Sequence, residues 1–254
     1  MSPQRKRALV WLLGTVLVVA LLGAAAGVWW GTHPLGPTQS ALAALVSDSS
    51  VQVTHAADGW EFAPPSGEPS SALVFYPGGH LDARSYAPYA RAVAARGYLV
   101  VIPVMPLSLA VLAPDSASAV ISAHPKVARW TIGGHSLGGV MAASYAAKHA
   151  NSIRGLILLA AYPPSGAELR LMGIVALTQV GTLDTVINRA NLAAGLKQLP
   201  ESAAYEQLQG GNHAQFGDYG LQPGDNPHPT MPAAEQLRRA ASGTAKVLAD
   251  VAAR

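Results

Sequence analysis

The chain has 254 residues, with 17 Lys and Arg against 14 Asp and Glu, eight His and no Cys. The missing cysteine excludes a disulfide framework, thiol catalysis and a cysteine-linked lipid anchor. Setting aside Arg5, Lys6 and Arg7 brings the basic side chains level with the acidic ones, and no basic stripe interleaved with aromatics follows, so no nucleic-acid partner is expected.

Residues 1–7 form a basic N-terminus, and 8–30 then run without a charged side chain, dominated by Leu, Val, Ala and Gly and ending in Trp29 and Trp30. As a helix this run would be about 34 Å long, enough for the roughly 30 Å hydrocarbon core of a bilayer, with the tryptophans at the far interface. Ala24, Ala25 and Ala26 also suit a signal peptidase. The apolar run is longer than a signal-peptide core, which favours an uncleaved single-pass anchor, with residues 1–7 in the cytoplasm and the rest of the chain outside. Cleavage would make the remainder a secreted protein. Residues 31–50, with Pro34, Pro37 and several Ser and Thr, read as a linker leading away from the membrane.

A domain is expected over 51–254. Alternation at 51–54 and 60–62 around Asp58-Gly59 predicts an antiparallel hairpin at a sheet edge. Continuous apolar runs at 72–76, 99–102, 130–132 and 156–159 predict strands buried on both faces, hence a mostly parallel sheet. Helices are expected over 86–96, 117–123 and 137–149. Two more strands, at 174–177 and 204–208, flank a helix near 185–195, and a last helix covers about 233–253. This alternation describes an α/β fold with helices on both faces of a central sheet. The interval between 159 and 174 is too short for a large lid, so an open, shallow site is expected.

Gly134-His135-Ser136-Leu137-Gly138 sits between a strand and a helix. This is the setting of a nucleophile elbow, which needs small neighbours around a strained serine. A serine hydroxyl needs a histidine base, and the base needs an acid to fix its tautomer. On such an elbow the partners follow in the order Ser, Asp or Glu, His. Only His149, His213 and His228 come after Ser136. His149 falls at a helix end and His228 between prolines, leaving His213, directly after the 204–208 strand. Asp184, in the turn after the 174–177 strand, is the first choice for the acid, against a bland reading as a helix N-cap. Glu168 is the runner-up, whereas Asp218 and Asp225 would break the order. The oxyanion needs the Leu137 N–H and a second donor from Tyr76-Pro77-Gly78-Gly79-His80, either Gly79 or His80, unless that segment is only a turn. His135 and His80 are read as pocket lining.

On Tyr76 to His80, Gly134 to Gly139, Gly181 to Asp184, and the run from Gly211 to Gly220 with Gln222 to Asp225, the chain resembles the α/β-hydrolase superfamily over about 51–253. It is most similar to the small lidless family 5 branch related to dienelactone hydrolases. The resemblance implies that the His-containing run carries the catalytic histidine and that the similar Asp carries the acid, in support of His213 and Asp184. Dienelactone hydrolases use a different nucleophile; serine here points to ordinary ester chemistry.

The expected activity is therefore hydrolysis of a small-molecule or lipid-like carboxylic ester beside a membrane, with no metal or organic cofactor required. The same residues serve acyl transfer to cell-envelope material, and such a scaffold also serves non-catalytic binding. The intact constellation favours hydrolysis over binding.

Overall fold

A computed structural model describes residues 3–56, 59–65 and 69–254. Its elements in chain order are α1 (Pro3–Thr32), α2 (Gln39–Ala43), β1 (Gln52–Ala56), β2 (Gly59–Ala63), β3 (Ser71–Tyr76), α3 (Ala87–Ala94), β4 (Leu99–Ile102), α4 (Ser116–Ala123), β5 (Arg129–His135) and α5 (Leu137–Lys148). They continue with β6 (Ile153–Leu159), β7 (Val175–Gly181), α6 (Arg189–Leu196), β8 (Ala204–Leu208) and α7 (Ala233–Ala252).

The eight strands form one sheet in the order β1-β2-β4-β3-β5-β6-β7-β8. The strands from β4 to β8 run parallel, and β1 and β2 add an antiparallel hairpin at the edge, with β2 against β4. Asp58 of the expected turn lies outside the described residues.

Both sheet faces are covered, which is why the central strands read as unbroken apolar runs. Successive side chains point to opposite faces. Leu73 and Phe75 of β3, Val100 and Ile102 of β4, and Ile157 and Leu159 of β6 join one core, completed by α3 and α7. Their neighbours Ala72, Val74, Leu99, Val101, Leu156 and Leu158 join the other, under α4 and α5. Each fully buried Leu, Ile or Phe contributes about 1.5–3 kcal/mol. Truncating one such as Leu73 to Ala would cost about 2–5 kcal/mol. Parallel strands place their C-terminal ends on one rim, so the loops after β3, β5, β7 and β8 converge there. Residues 160–174, between β6 and β7, contain no helix, in keeping with the expected lack of a large lid.

The segment Trp11–Thr32 of α1 is long and apolar enough to cross a membrane by length and composition. The stretch after it differs from the extended linker expected. Thr38 caps α2, and Ala41 is buried. The Leu35 N–H donates to the His80 carbonyl at 3.0 Å, and the Asp82 N–H donates to the Leu35 carbonyl at 3.0 Å. The Thr38 N–H reaches the Asp218 carbonyl at 2.9 Å, while Arg91 pairs with Asp48 and donates to the Val46 carbonyl. The polar composition of 31–50 reads as solvated only because its partners lie far along the chain.

Candidate active site

β5 ends at His135 and α5 begins at Leu137, so Ser136 alone makes the joint, at φ 52° and ψ −126°. A non-glycine residue with positive φ is strained by about 1–3 kcal/mol and persists only where its surroundings fix it. Here the Ser136 N–H donates to the Leu159 carbonyl at 3.0 Å, and its carbonyl accepts from the Val140 N–H at 3.1 Å. The turn closes tightly: a Cβ on Gly134 would lie 2.5 Å from the carbonyl carbon of Gly138. Ser136 is half-buried and therefore reachable.

His135, inside the elbow motif, is not pocket lining. It is fully buried, its Nδ1 lies 2.8 Å from the Tyr86 hydroxyl, and its ring centroid is 4.6 Å from that of His213. Burial, followed by the charge His213 can carry, pushes its pKa well below the ordinary value, against a raising hydrogen bond to the His213 backbone. It is thus a neutral wall.

His213 and Asp184 are both buried, and the structure brings them together with His213 Nδ1 2.9 Å from Asp184 Oδ2. Facing an ionised carboxylate, Nδ1 carries the proton and Nε2 keeps its lone pair. The other carboxylate oxygen, Oδ1, accepts the Val186 and Ile187 N–H groups at 2.9 Å each. Burial pushes the Asp184 carboxyl up, but the His213 hydrogen bond and charge together with the two amides outweigh it and hold the pKa below the ordinary carboxylate value. Asp184 does not cap α6; Asn188 does, accepting from the Asn191 N–H. His213 Nε2 is buried without a hydrogen-bond partner, so among the described residues no bond yet joins it to the Ser136 hydroxyl. In ligand-free sites such bonds are often long.

Sequence reasoning missed the groups that hold the His213 loop. Gln236 of α7, fully buried, accepts the Asn212 N–H at 3.1 Å and donates to the Asn212 carbonyl at 2.8 Å. Asp225 accepts the Ala214 N–H at 2.8 Å. It belongs to the Gln222 to Asp225 run that carried the resemblance, which was the available signal, whereas nothing local marks Gln236.

The two candidates for the second oxyanion donor separate clearly. The His80 N–H is committed to the Ser108 carbonyl at 2.8 Å, which corrects its expected role. Its ring is committed too, stacked on Trp30 with Nε2 2.8 Å from the Trp30 carbonyl. Among the described residues the N–H groups of Gly79 and Leu137 have no hydrogen-bond partner. The two residues are adjacent, since a Cβ on Gly79 would lie 3.0 Å from Leu137 Cδ2.

The remaining candidates lie elsewhere. Glu168 is exposed in a cleft of about 350 Å³ shared with Leu171, Lys197 and Gln198. His149 stacks on Tyr145 at 4.0 Å, and His228 is exposed. Among the described residues no cluster of His, Asp and Glu could hold a metal ion.

A family described as the alpha/beta hydrolase family matches residues 72–238. No curated protein matches the sequence. Solved structures are similar in fold at low identity. A dienelactone hydrolase from Anabaena variabilis has a TM-score of 0.60 at 15% identity, covering 80% of this chain and 99% of its own. A predicted CIB-like hydrolase from Thermoplasma acidophilum has a TM-score of 0.59 at 14% identity, covering 77% and 99%. A carboxylesterase from Bacillus subtilis has a TM-score of 0.56 at 10% identity, covering 83% and 95%.

Proposed function

Because the chain belongs to the alpha/beta hydrolase family, we propose that its hydrolase activity is that of a serine esterase, with Ser136 as nucleophile, His213 as base and Asp184 as the group that orients it. Ser136 Oγ attacks the ester carbonyl carbon as its proton passes to His213 Nε2. The oxyanion then accepts from the Leu137 and Gly79 N–H groups. Collapse breaks the bond to the alcohol, which leaves with the proton from His213. Water repeats the sequence on the acyl-enzyme, releasing the acid and restoring Ser136.

The observation that carries the reading is the strained Ser136 joint beside a buried His213–Asp184 pair whose Nε2 is unpartnered. Structural neighbours described as esterases support the same substrate class. For α1, the reading is an uncleaved anchor with a cytoplasmic N-terminus. It is supported by the unbroken helix Pro3–Thr32 and by the packing of its C-terminal end on the enzyme body. Intact mass of the protein from membranes checks this: loss of the first 24 to 26 residues would point to a signal sequence.

Labelling with a fluorophosphonate probe tests the nucleophile. Wild type is expected to label and to turn over p-nitrophenyl esters, while Ser136→Ala folds but does neither. Labelling of both, or of neither when folded, would remove Ser136 from the role.

A further inference from the structure

The end of α1 forms part of the wall around the oxyanion loop. The Trp30 indole lies on the His80 imidazole with centroids 3.8 Å apart and planes 5° from parallel. The Trp30 carbonyl accepts from His80 Nε2 at 2.8 Å, and the Gly31 carbonyl accepts from the Ser108 hydroxyl at 3.3 Å. A Cβ on Gly31 would lie 2.6 Å from that of Leu107 and 3.2 Å from the Leu107 carbonyl oxygen, so the helix packs closely on this residue and has no room for a side chain there. Ser108 in turn holds the His80 N–H, one residue from Gly79. His80, Leu107 and Ser108 all have left-handed backbones, at φ 58°, 49° and 56°. Three strained non-glycine residues at one contact mean that the contact itself fixes their geometry.

The surface beside this contact is suited to lipid. No charged residue occurs between Arg96 and Asp115. Within that interval the large apolar side chains Val104, Val111 and Leu112 are 58%, 49% and 52% exposed. Trp29 and Trp30, themselves 64% and 47% exposed, are residues that settle at the headgroup level. The headgroup layer on each side of the hydrocarbon core is only about 5–8 Å deep. A loop touching Gly31 therefore opens into that layer, where the ester bonds of lipids lie.

We propose that the substrate is an acyl ester of a membrane lipid, presented to Ser136 while its chain is still largely in the leaflet that α1 enters. The proposal rests on the serine esterase reading and on α1 spanning the bilayer. The acyl group passes to Ser136 Oγ, the lipid alcohol leaves with the proton from His213, and water releases the fatty acid. Holding the site at the interface removes the need to draw each methylene of the chain into water. Val104, Val111 and Leu112 rest on the leaflet beside the entrance.

The test uses the full-length protein in phosphatidylcholine vesicles carrying a fluorogenic long-chain diacylglycerol ester, with p-nitrophenyl acetate as the soluble comparison. The expected result is turnover of the lipid ester when enzyme and substrate share a vesicle, and little when the substrate is supplied in separate vesicles. Val111→Asp and Leu112→Asp should lower the ratio of lipid-ester to soluble-ester turnover by about tenfold, with the soluble reaction reporting that the fold is intact. Turnover of p-nitrophenyl acetate without the lipid ester overturns the lipid proposal and leaves the esterase reading standing. So does a ratio unchanged by both substitutions. Failure of both esters together with no fluorophosphonate labelling overturns the esterase reading itself.

Discussion

Gln236 of α7 satisfies both main-chain polar groups of Asn212, the residue before His213, with its amide at 3.1 Å from the nitrogen and 2.8 Å from the oxygen. The loop that carries the histidine is therefore referenced to a helix as well as to Asp225 and to its own turn, where Asn212 Oδ1 accepts the Gln215 N–H at 3.0 Å. Gln236→Leu leaves two buried peptide groups unpaired, each worth about 1–3 kcal/mol. Thermal melts should show destabilisation of about 2–4 kcal/mol, with kcat on p-nitrophenyl esters falling more than KM rises. Unchanged kcat in a destabilised variant would show that the brace serves folding alone.

Asp184→Asn places an amide against His213 Nδ1 and favours the wrong tautomer. A loss of about two to four orders of magnitude in kcat is expected, as for the equivalent change in serine proteases. Glu168→Gln, in an exposed cleft, should stay within about twofold of wild type. Reversal of these two outcomes in a steady-state assay would move the acid to Glu168.

His135 gives a pH dependence of defined sign. In the unfolded chain a histidine titrates near 6.5, whereas burial holds His135 well below that value in the fold. Below about pH 6.5 the unfolded chain takes up a proton that the folded chain refuses, so stability falls as the pH drops, by up to about 1.4 kcal/mol per unit. Denaturation in mild detergent at pH 7.5, 6 and 5 should show this slope in wild type. His135→Asn, which keeps a polar partner for Tyr86, should have a shallower slope. Asp184 acts in a lower window: its depressed pKa contributes stability above the ordinary carboxylate value, lost as the pH falls through the folded one.

The elbow itself can be tested sterically. An alanine at position 134 would place its methyl carbon 2.5 Å from the Gly138 carbonyl carbon, a backbone contact with no flexible side chain to give way. Gly134→Ala should destabilise by about 1–3 kcal/mol and abolish fluorophosphonate labelling, because the turn must open to admit the methyl. Full labelling would mean that the Ser136 conformation does not depend on this contact.

The sheet was legible because strands buried on both faces leave unbroken apolar runs, and 72–76 coincides with β3 apart from one residue at its start. Strand ends were less clear: 130–132 grew to Arg129–His135, since Gly133 and Gly134 carry no apolar signal although they extend the ladder to β3 and β6. The placing of Ser136, Asp184 and His213 on one rim follows from which loops succeed which strands, and that much periodicity can reveal. The choice between Gly79 and His80 was not legible, because it depends on a bond from His80 to Ser108 across the fold. The packing of 33–50 was hidden for the same reason: Leu35, Thr38 and Ser40 find their partners at His80, Asp82 and Asp218, and composition carries no record of pairings that distant.

The place of α7 in the chain has a consequence for timing. As the polypeptide emerges, Ser136, Asp184 and His213 are all present before residue 233, yet Gln236 and the apolar side of α7 that covers β3, β5, β6 and β7 come afterwards. Until that helix docks, the sheet face it shares with α3 is only partly covered and the His213 loop lacks the Gln236 brace. Bracing of the His213 loop by Gln236 therefore waits on the segment that is made after it. A chain that lacks this helix would carry Ser136, Asp184 and His213 in full yet be without the Gln236 brace that sets the His213 loop.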